Sequence, residues 1–258
     1  MRQILLITLV LLNYSTYSQS IMTALNFGKK NDFHSDKLVT ETETKTTFYN
    51  SKSIEKMRYV SNYNNHNKVT IENRYDDNDN LKQRLTRIYD STGVRSLARK
   101  LENWHPLLGH FFEISYHSYD SNGILNSIIE KDQSGSIIRH TNIINNEKGY
   151  PIELTIFVGN QMEGKETADY NYEKNEVTIN YFNKKNELIN SETAKIESTK
   201  NQPGDKVNKF GDVVKSAKYE MEIEYDKFGN WVKQIYSTLT NGLLVKKSES
   251  TRKIKYRK

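Results

Sequence analysis

The chain has no cysteine. That excludes disulfide bonds in any compartment, thiol chemistry, and a lipid attached through a cysteine. Proline is nearly absent, with 3 residues in 258, which excludes polyproline spacers. Hydrophobic residues are only 35% and mean hydropathy is -0.80. After residue 12 no stretch approaches the roughly 20 apolar residues of a membrane-spanning helix. A P-loop, a GxGxxG fingerprint, a GxSxG elbow and an HExxH signature are all missing. The charge surplus is dilute. Thirty-eight basic residues face 32 acidic ones, for a formal +6, whereas a nucleic-acid binder concentrates its basic residues in a patch. Only the tail does so, through Lys246, Lys247, Arg252, Lys253, Lys255, Arg257 and Lys258. That tail reads as a solvated strand face, with a contact to anionic polysaccharide, lipid headgroups or nucleic acid as the alternative; nucleic acid is not the expected partner.

What the chain does have begins with an address. Met1-Arg2-Gln3 is followed by an apolar run from Ile4 to Leu12 and a polar, small-residue exit from Asn13 to Ser20. These are the three parts of a secretory signal peptide, and the run is too short to span a membrane. Residues 1-18 are read as the signal, with cleavage after Ser18, or after Ser20 as a second choice. The expected location is periplasmic or extracellular, free of a lipid anchor. The expected source is bacterial.

Tyrosine and phenylalanine compensate for the shortage of aliphatic residues, at 17 and 9. Together with Thr, Ile and Val they favour β structure, and the rings are expected to form the core. Strand periodicity is plain in two places. Tyr219, Met221, Ile223 and Tyr225 alternate with Glu220, Glu222 and Glu224; Ile254 and Tyr256 alternate with Lys253, Lys255 and Arg257. Successive side chains of a strand take opposite faces, so each segment has one wet side. If the two strands lay close together on one sheet, their acidic and basic rows would pair.

A short phrase recurs between such strands: Tyr-Asp, two residues, Gly, then an apolar residue. The clear copies are Tyr89-Asp90 with Gly93, Tyr119-Asp120 with Gly123, and Tyr225-Asp226 with Gly229. Looser copies begin at Tyr75-Asp76 (with Asn in place of Gly), Asp132, Asn146, Asn183 and Asn208, and Asn241-Gly242 is a hairpin dipeptide. Asp or Asn bonds the backbone two residues on, and Gly supplies the positive φ that closes the turn. Each phrase therefore specifies a hairpin. A chain of such hairpins is a meander of neighbours.

The phrase resembles the YD repeat of the RHS family, well at Tyr225 to Trp231 and Tyr119 to Leu125, fairly at Tyr89 to Val94, and loosely from about Tyr75 to the end. In that family the repeats form long antiparallel strips, which in large members wrap around a cargo polypeptide. Family copies commonly carry a Tyr two residues before Tyr-Asp. Here that position is Ile223, His117, Arg87 or Asn73. The chain is too short to enclose a cargo, so the resemblance implies the strip and not the encapsulation.

The fold expectation is all-β: one antiparallel hairpin meander of about ten to fourteen strands, strongly twisted or curled because so long a sheet rarely stays flat, with a closed barrel as the main variant. Residues 19-37 are expected to form an extended lead-in and 38-258 the repeat domain. The rhythm lapses near 96-109 and 190-209. In the first lapse, Leu97, Leu101, Trp104 and Leu108 recur at helical spacing, which predicts a short helix or packed loop. In the second, Ser, Thr, Lys and Asn around Pro203-Gly204 predict a long loop.

The one concentration of ligand-type side chains is His105, His110, Glu113 and His117. On a strand Glu113 and His117 share a face that His110 does not, which is poor geometry for zinc. Asp76, Asn78 and Asn80 begin like a calcium loop but lack its Gly and terminal Glu. No metal or cofactor is expected. The function expected is non-catalytic, binding or structural, in the envelope or outside the cell, with an envelope polysaccharide or another exported protein as partner. The alternative is a secreted hydrolase acting on a polymer, with its site near residues 105-117.

Overall fold

The computed structural model describes residues 20-27, 33-50, 53-196 and 204-258. The signal peptide, the middle of the lead-in and the centre of the second lapse lie outside the described residues. One short helix, α1 (Ile21–Leu25), comes first. The first strands are β1 (Val39–Tyr49), β2 (Ile54–Tyr63), β3 (Val69–Tyr75), β4 (Leu81–Tyr89), β5 (Ser96–His105) and β6 (Gly109–Tyr119). They are followed by β7 (Leu125–Asp132), β8 (Ile137–Asn145), β9 (Pro151–Val158), β10 (Gln161–Asn171), β11 (Glu176–Asn183) and β12 (Leu188–Lys195). The last are β13 (Lys206–Val207), β14 (Val213–Lys215), β15 (Tyr219–Tyr225), β16 (Trp231–Thr240) and β17 (Leu243–Tyr256).

All belong to one 17-stranded antiparallel sheet. The meander is thus longer than the ten to fourteen strands expected, because the first lapse is largely strand and the described residues of the second include the end of β12 and all of β13. Residues 96-105 form β5, not a helix, and β12 reaches Lys195. In β5 the period of two wins: Leu85 pairs with Leu101, and Gln83 with Asn103, on one face. Among the described residues the ladders form open runs of hairpins rather than the closed-barrel variant.

Two units divide the contacts, with the boundary inside β6. The first holds α1 and the chain from Ser115 through β12; its ladders run from β7 to β12 in sequence order. The second holds β1 to Ile114 and β13 to the C-terminus. Here the run is β13, β14, β15, β16, β17, β1, β2, β3, β4, β5.

The join between β17 and β1 corrects an expectation. β16 stands between β15 and the basic tail, so the two charge rows do not meet. The acidic partner of the tail is β1: Glu41 faces Lys255 and Glu43 faces Lys253, with Lys255 Nζ 2.6 Å from the Glu41 carboxylate. Glu224 pairs instead with Lys233 of β16, at 3.1 Å.

The turns explain the phrase atom by atom. Asp120 N–H donates to the Ile124 carbonyl (2.9 Å) and Gly123 N–H to the Asp120 carbonyl (3.0 Å). Asp120 Oδ1 accepts from the N–H groups of Asn122 and Ile124. The same set of bonds forms at Asp76, Asp132, Asn146, Asn183, Asn208 and Asp226. It also forms at Asn64, a copy not recognised in the sequence. At Asp90 the loop closes one residue later, on Arg95. In the Asp76 copy the left-handed position belongs to Asp79 (φ 60), not to an Asn.

The tyrosine before the turn has its own task. Tyr89 Oη donates to the carbonyl of Val69, the first residue after the Asn64 turn (2.9 Å). Tyr170 Oη donates to that of Pro151, the first after the Asn146 turn (2.8 Å). Asn145, where a Tyr would stand, donates through Nδ2 to Leu125, the first after the Asp120 turn (2.9 Å). Side chains of this position tie each turn to the previous turn at the same end of the strands.

The two units bury different chemistry. In the first, Ile21 and Leu25 of α1 join Leu125, Ile128, Ile143, Leu154, Ala168, Val177 and Ile179 in an aliphatic core. Tyr119, Tyr150, Tyr170 and Tyr181 flank that core rather than form it, contrary to the expectation of a ring-filled interior. The expected extended lead-in is likewise corrected where it is described. Ser20 caps α1, accepting from Thr23 N–H, and Ile21 and Leu25 share a face four residues apart. In the second unit the covered face is largely polar and bonded across strands. Thr46 meets Ser250 (2.9 Å), Ser61 meets Glu72 (3.3 Å), Arg74 bridges Glu72 and Gln83, and Gln83 reaches Asn103.

One buried carboxylate stands apart. Glu166 Oε2 accepts from Ile21 N–H at 2.8 Å. Burial, with the charge of Glu192, holds its carboxyl above the usual range, against the lowering effect of that N–H. A carboxyl whose folded pKa is raised binds more protons folded than unfolded. Its stabilisation is therefore present below the unfolded pKa and lost as pH rises through the folded value. Glu166→Gln keeps an acceptor for Ile21 and removes the ionisation. The variant is expected to be more stable than the parent at pH 7 and equal to it near pH 4, as read by urea titrations at both.

Candidate functional site

The four ligand-type residues of the sequence do not form one cluster. His105 ends β5, and its Nδ1 accepts from Leu107 and Leu108 N–H (both 3.2 Å), closing the β5–β6 turn. His117 lies edge-on to Phe27 at 4.8 Å. Glu113 alternates with His110 and Phe112 on β6 and takes the opposite face. Among the described residues no group of three His, Cys, Asp or Glu is placed to hold a metal. The Asp76 carboxyl, which opened the calcium-like sequence, serves its own turn. Some burial raises its pKa, but Asn80, Asn78 and Lys82 outweigh that and bring it to about 2.

His110 belongs to a built arrangement whose members come from alternate positions of β4, β5 and β6. Its ring lies 4.8 Å from Trp104 and 6.2 Å from Phe112. Nε2 is 3.3 Å from the Glu102 carboxylate, which also pairs with Lys100 at 3.0 Å. The Lys100 ammonium stands 4.1 Å from the Phe112 ring centre, and the Arg84 guanidinium 5.5 Å from that of Trp104. Asn73 fixes Arg84 by accepting from Nε at 2.8 Å. These contacts are local consequences of strand pairing. Lys100, Glu102 and Trp104 share one face of β5, and His110 and Phe112 share one face of β6.

Electrostatics keep the Glu102 carboxyl ionised. Burial pushes the Glu102 carboxyl up, but the hydrogen bond and charge of Lys100, with Arg84 and His110, outweigh it and hold it below the usual carboxylate range. The arrangement presents ring edges and faces, one fixed acceptor pair and two cations. Sequence reasoning found His110 and missed Lys100, Glu102, Trp104, Phe112 and Arg84 as a set. The available signal was the alternation at 100, 102 and 104 followed by 110 and 112, masked by the helical spacing of four apolar residues.

The fold and this strip define the class: an all-β antiparallel hairpin-repeat protein with an aromatic and ionic surface. No family model matches the chain, and no curated protein sequence does. Among solved structures it is similar to a porin-like protein from Bacteroides uniformis, at 12% identity and a TM-score of 0.47, covering 84% of this chain and 96% of that one.

Proposed function

We propose that the chain is an exported, non-catalytic hairpin-repeat protein of the YD type that binds a polysaccharide of the cell envelope through the strip around Trp104. The observation carrying this reading is the convergence of Trp104, His110 and Phe112 with Glu102, Lys100 and Arg84 on one sheet face. Ring faces suit the apolar faces of sugar rings, and the flanking ions supply hydroxyl acceptors and donors that fix orientation. Lys100 and Arg84 outnumber Glu102, which favours a glycan carrying carboxylates. The histidines support binding better than hydrolysis, because His105 is spent on its turn and His117 on Phe27.

The same sheet face argues against the strands of the second unit spanning a bilayer. It carries Glu41, Glu43, Lys45, Lys253 and Lys255, with Glu222 and Glu224 farther along. On a lipid-facing strand each Lys at the midplane costs about 2–4 kcal/mol.

Trp104→Ala is expected to weaken binding to a uronate-containing polysaccharide at least tenfold, with an unchanged melting temperature. Affinity electrophoresis with graded polymer, in parallel with a neutral glucan, measures this. Equal retardation of the parent and the variant in the uronate gel would sink the reading.

A further inference from the structure

The two ends of the strands in the second unit are built differently. At one end lie the Asn64, Asp90, Asn208 and Asp226 turns, closed by their own side chains. The other end is fixed by register. Phe48 faces both Glu55 and Ser248, Arg58 faces Tyr75, and Gln83 faces Asn103. The β1–β2, β3–β4, β5–β6 and β16–β17 turns therefore share that end. Three of the four carry exposed aliphatic side chains: Ile54 at 65% exposure, Leu107 at 81%, and Leu243 at 71% with Leu239, Leu244 and Val245.

The β16–β17 hairpin is the largest of these. Its pairing continues to Thr240–Leu243, while the β1 ladder stops at Phe48–Ser248, so residues 243-247 run past β1. Asn241 and Gly242 both take positive φ, closing a tight two-residue turn. The register shifts between Tyr236 and Ser237, leaving Lys247 as the extra residue of a bulge where the ribbon leaves the sheet. Leu243 and Leu244 point to opposite faces of the ribbon, and both are exposed. Neither face is covered, as a docking groove on another protein would require of only one. Lys247 stands directly behind the leucines, while Lys246 is paired with Glu249 and lies over the Tyr49 ring; Lys218 lies beside Leu239, whose N–H bonds its carbonyl.

We infer that this end of the protein docks on an anionic lipid surface, with Leu243 and Leu244 entering the headgroup–acyl boundary and Lys247 and Lys218 meeting the phosphates. Separate apolar tips projecting from one edge fit a yielding plane better than a shaped partner. The lysines sit at the depth where long cationic side chains contact headgroups. Two of the carboxylates of the β3–β4 turn at this end are already engaged: Asp76 with Lys82 and Asp79 with Arg58. The charged strand faces stay in water, so contact is by tips alone. This inference is independent of the Trp104 strip.

Vesicle sedimentation tests it with the full chain lacking residues 1-18. Parent protein is expected to partition onto phosphatidylglycerol–phosphatidylethanolamine vesicles at least tenfold better than onto phosphatidylcholine. Leu243→Asp with Leu244→Asp is expected to reduce that partition at least tenfold, and Lys218→Gln with Lys247→Gln to reduce it severalfold. Ile137→Asp, at an exposed site in the other unit, serves as the control and leaves it unchanged. All five residues are solvent-exposed or partly so, and circular dichroism melts verify folding. Absence of partition by the parent, partition insensitive to the Leu pair, or a dimer that the Leu pair abolishes would each overturn the inference.

Discussion

Gly229→Ala is expected to destabilise the second unit by about 3 kcal/mol, the sum of a left-handed backbone cost of roughly 1–2 kcal/mol and an overpacking cost of similar size. Gly229 has φ +82, and a Cβ there would lie 2.8 Å from Cε1 and 3.3 Å from Cδ1 of Phe210. That ring cannot simply swing aside. It lies 4.2 Å from the Tyr225 ring, while Tyr225 Oη is held by Asn208 and Asp212 across the neighbouring turn. Gly211 provides the comparison within the same unit. It has φ +87, but nothing lies within 4 Å of its would-be Cβ. Gly211→Ala should therefore show only the backbone cost, about 1–2 kcal/mol. The difference arises because Gly211 sits in the first turn of its stack and Gly229 in the second. Urea denaturation of the two variants measures it. Equal losses would mean that the phrase specifies isolated turns and that turn-on-turn packing adds nothing.

That distinction marks how far the fold was legible. Tyr225-Asp226-x-x-Gly229 announces a hairpin because its determinants lie within five residues, where backbone chemistry alone decides. The stacking of Gly229 on Phe210, and of Gly93 on His66, whose Cδ2 would lie 3.0 Å from a Cβ built at Gly93, depends on which turns share an end, and that follows only after the strands pair. The β17–β1 ladder was hidden for the same reason. Alternation of Lys253, Ile254 and Lys255 reveals two faces but not the neighbour, and Glu41 is 214 residues from Lys255. Near Trp104 the difficulty was ambiguity. Leu97, Leu101, Trp104 and Leu108 satisfy a helical spacing, yet the residues between them satisfy a period of two, and cross-strand partners on β4 settle the matter. The Trp104 strip could not be read before β5 was known to be a strand, because its members come together only on a sheet face.

Helix α1 was hidden by its shortness, and its removal is the second large effect expected. Ile21 is fully buried and Leu25 nearly so, both within the aliphatic cluster of the first unit. Ile21→Ala should cost about 2–5 kcal/mol, the range for deleting a buried branched side chain that its surroundings cannot refill. Refilling is obstructed because β9 and β10, which α1 contacts, are fixed by ladders on both sides. The shift of the α1 backbone would also loosen the Ile21 N–H bond to Glu166, and a buried acceptor without its donor costs about 1–3 kcal/mol more. Thr23→Ala, at an exposed position of the same helix, should cost well under that, since it loses only the hydroxyl contact with Ser20. Native-state hydrogen exchange separates the outcomes. Ile21→Ala should reduce amide protection in β9, β10 and β11 by two or more orders of magnitude, following roughly tenfold per 1.4 kcal/mol. Unchanged protection there would show that the strands carry their own stability and that α1 only rests on them. If the loss is seen, the segment directly after the expected signal peptide is a structural part of the first unit. Cleavage downstream of Ile21 would then remove part of its core.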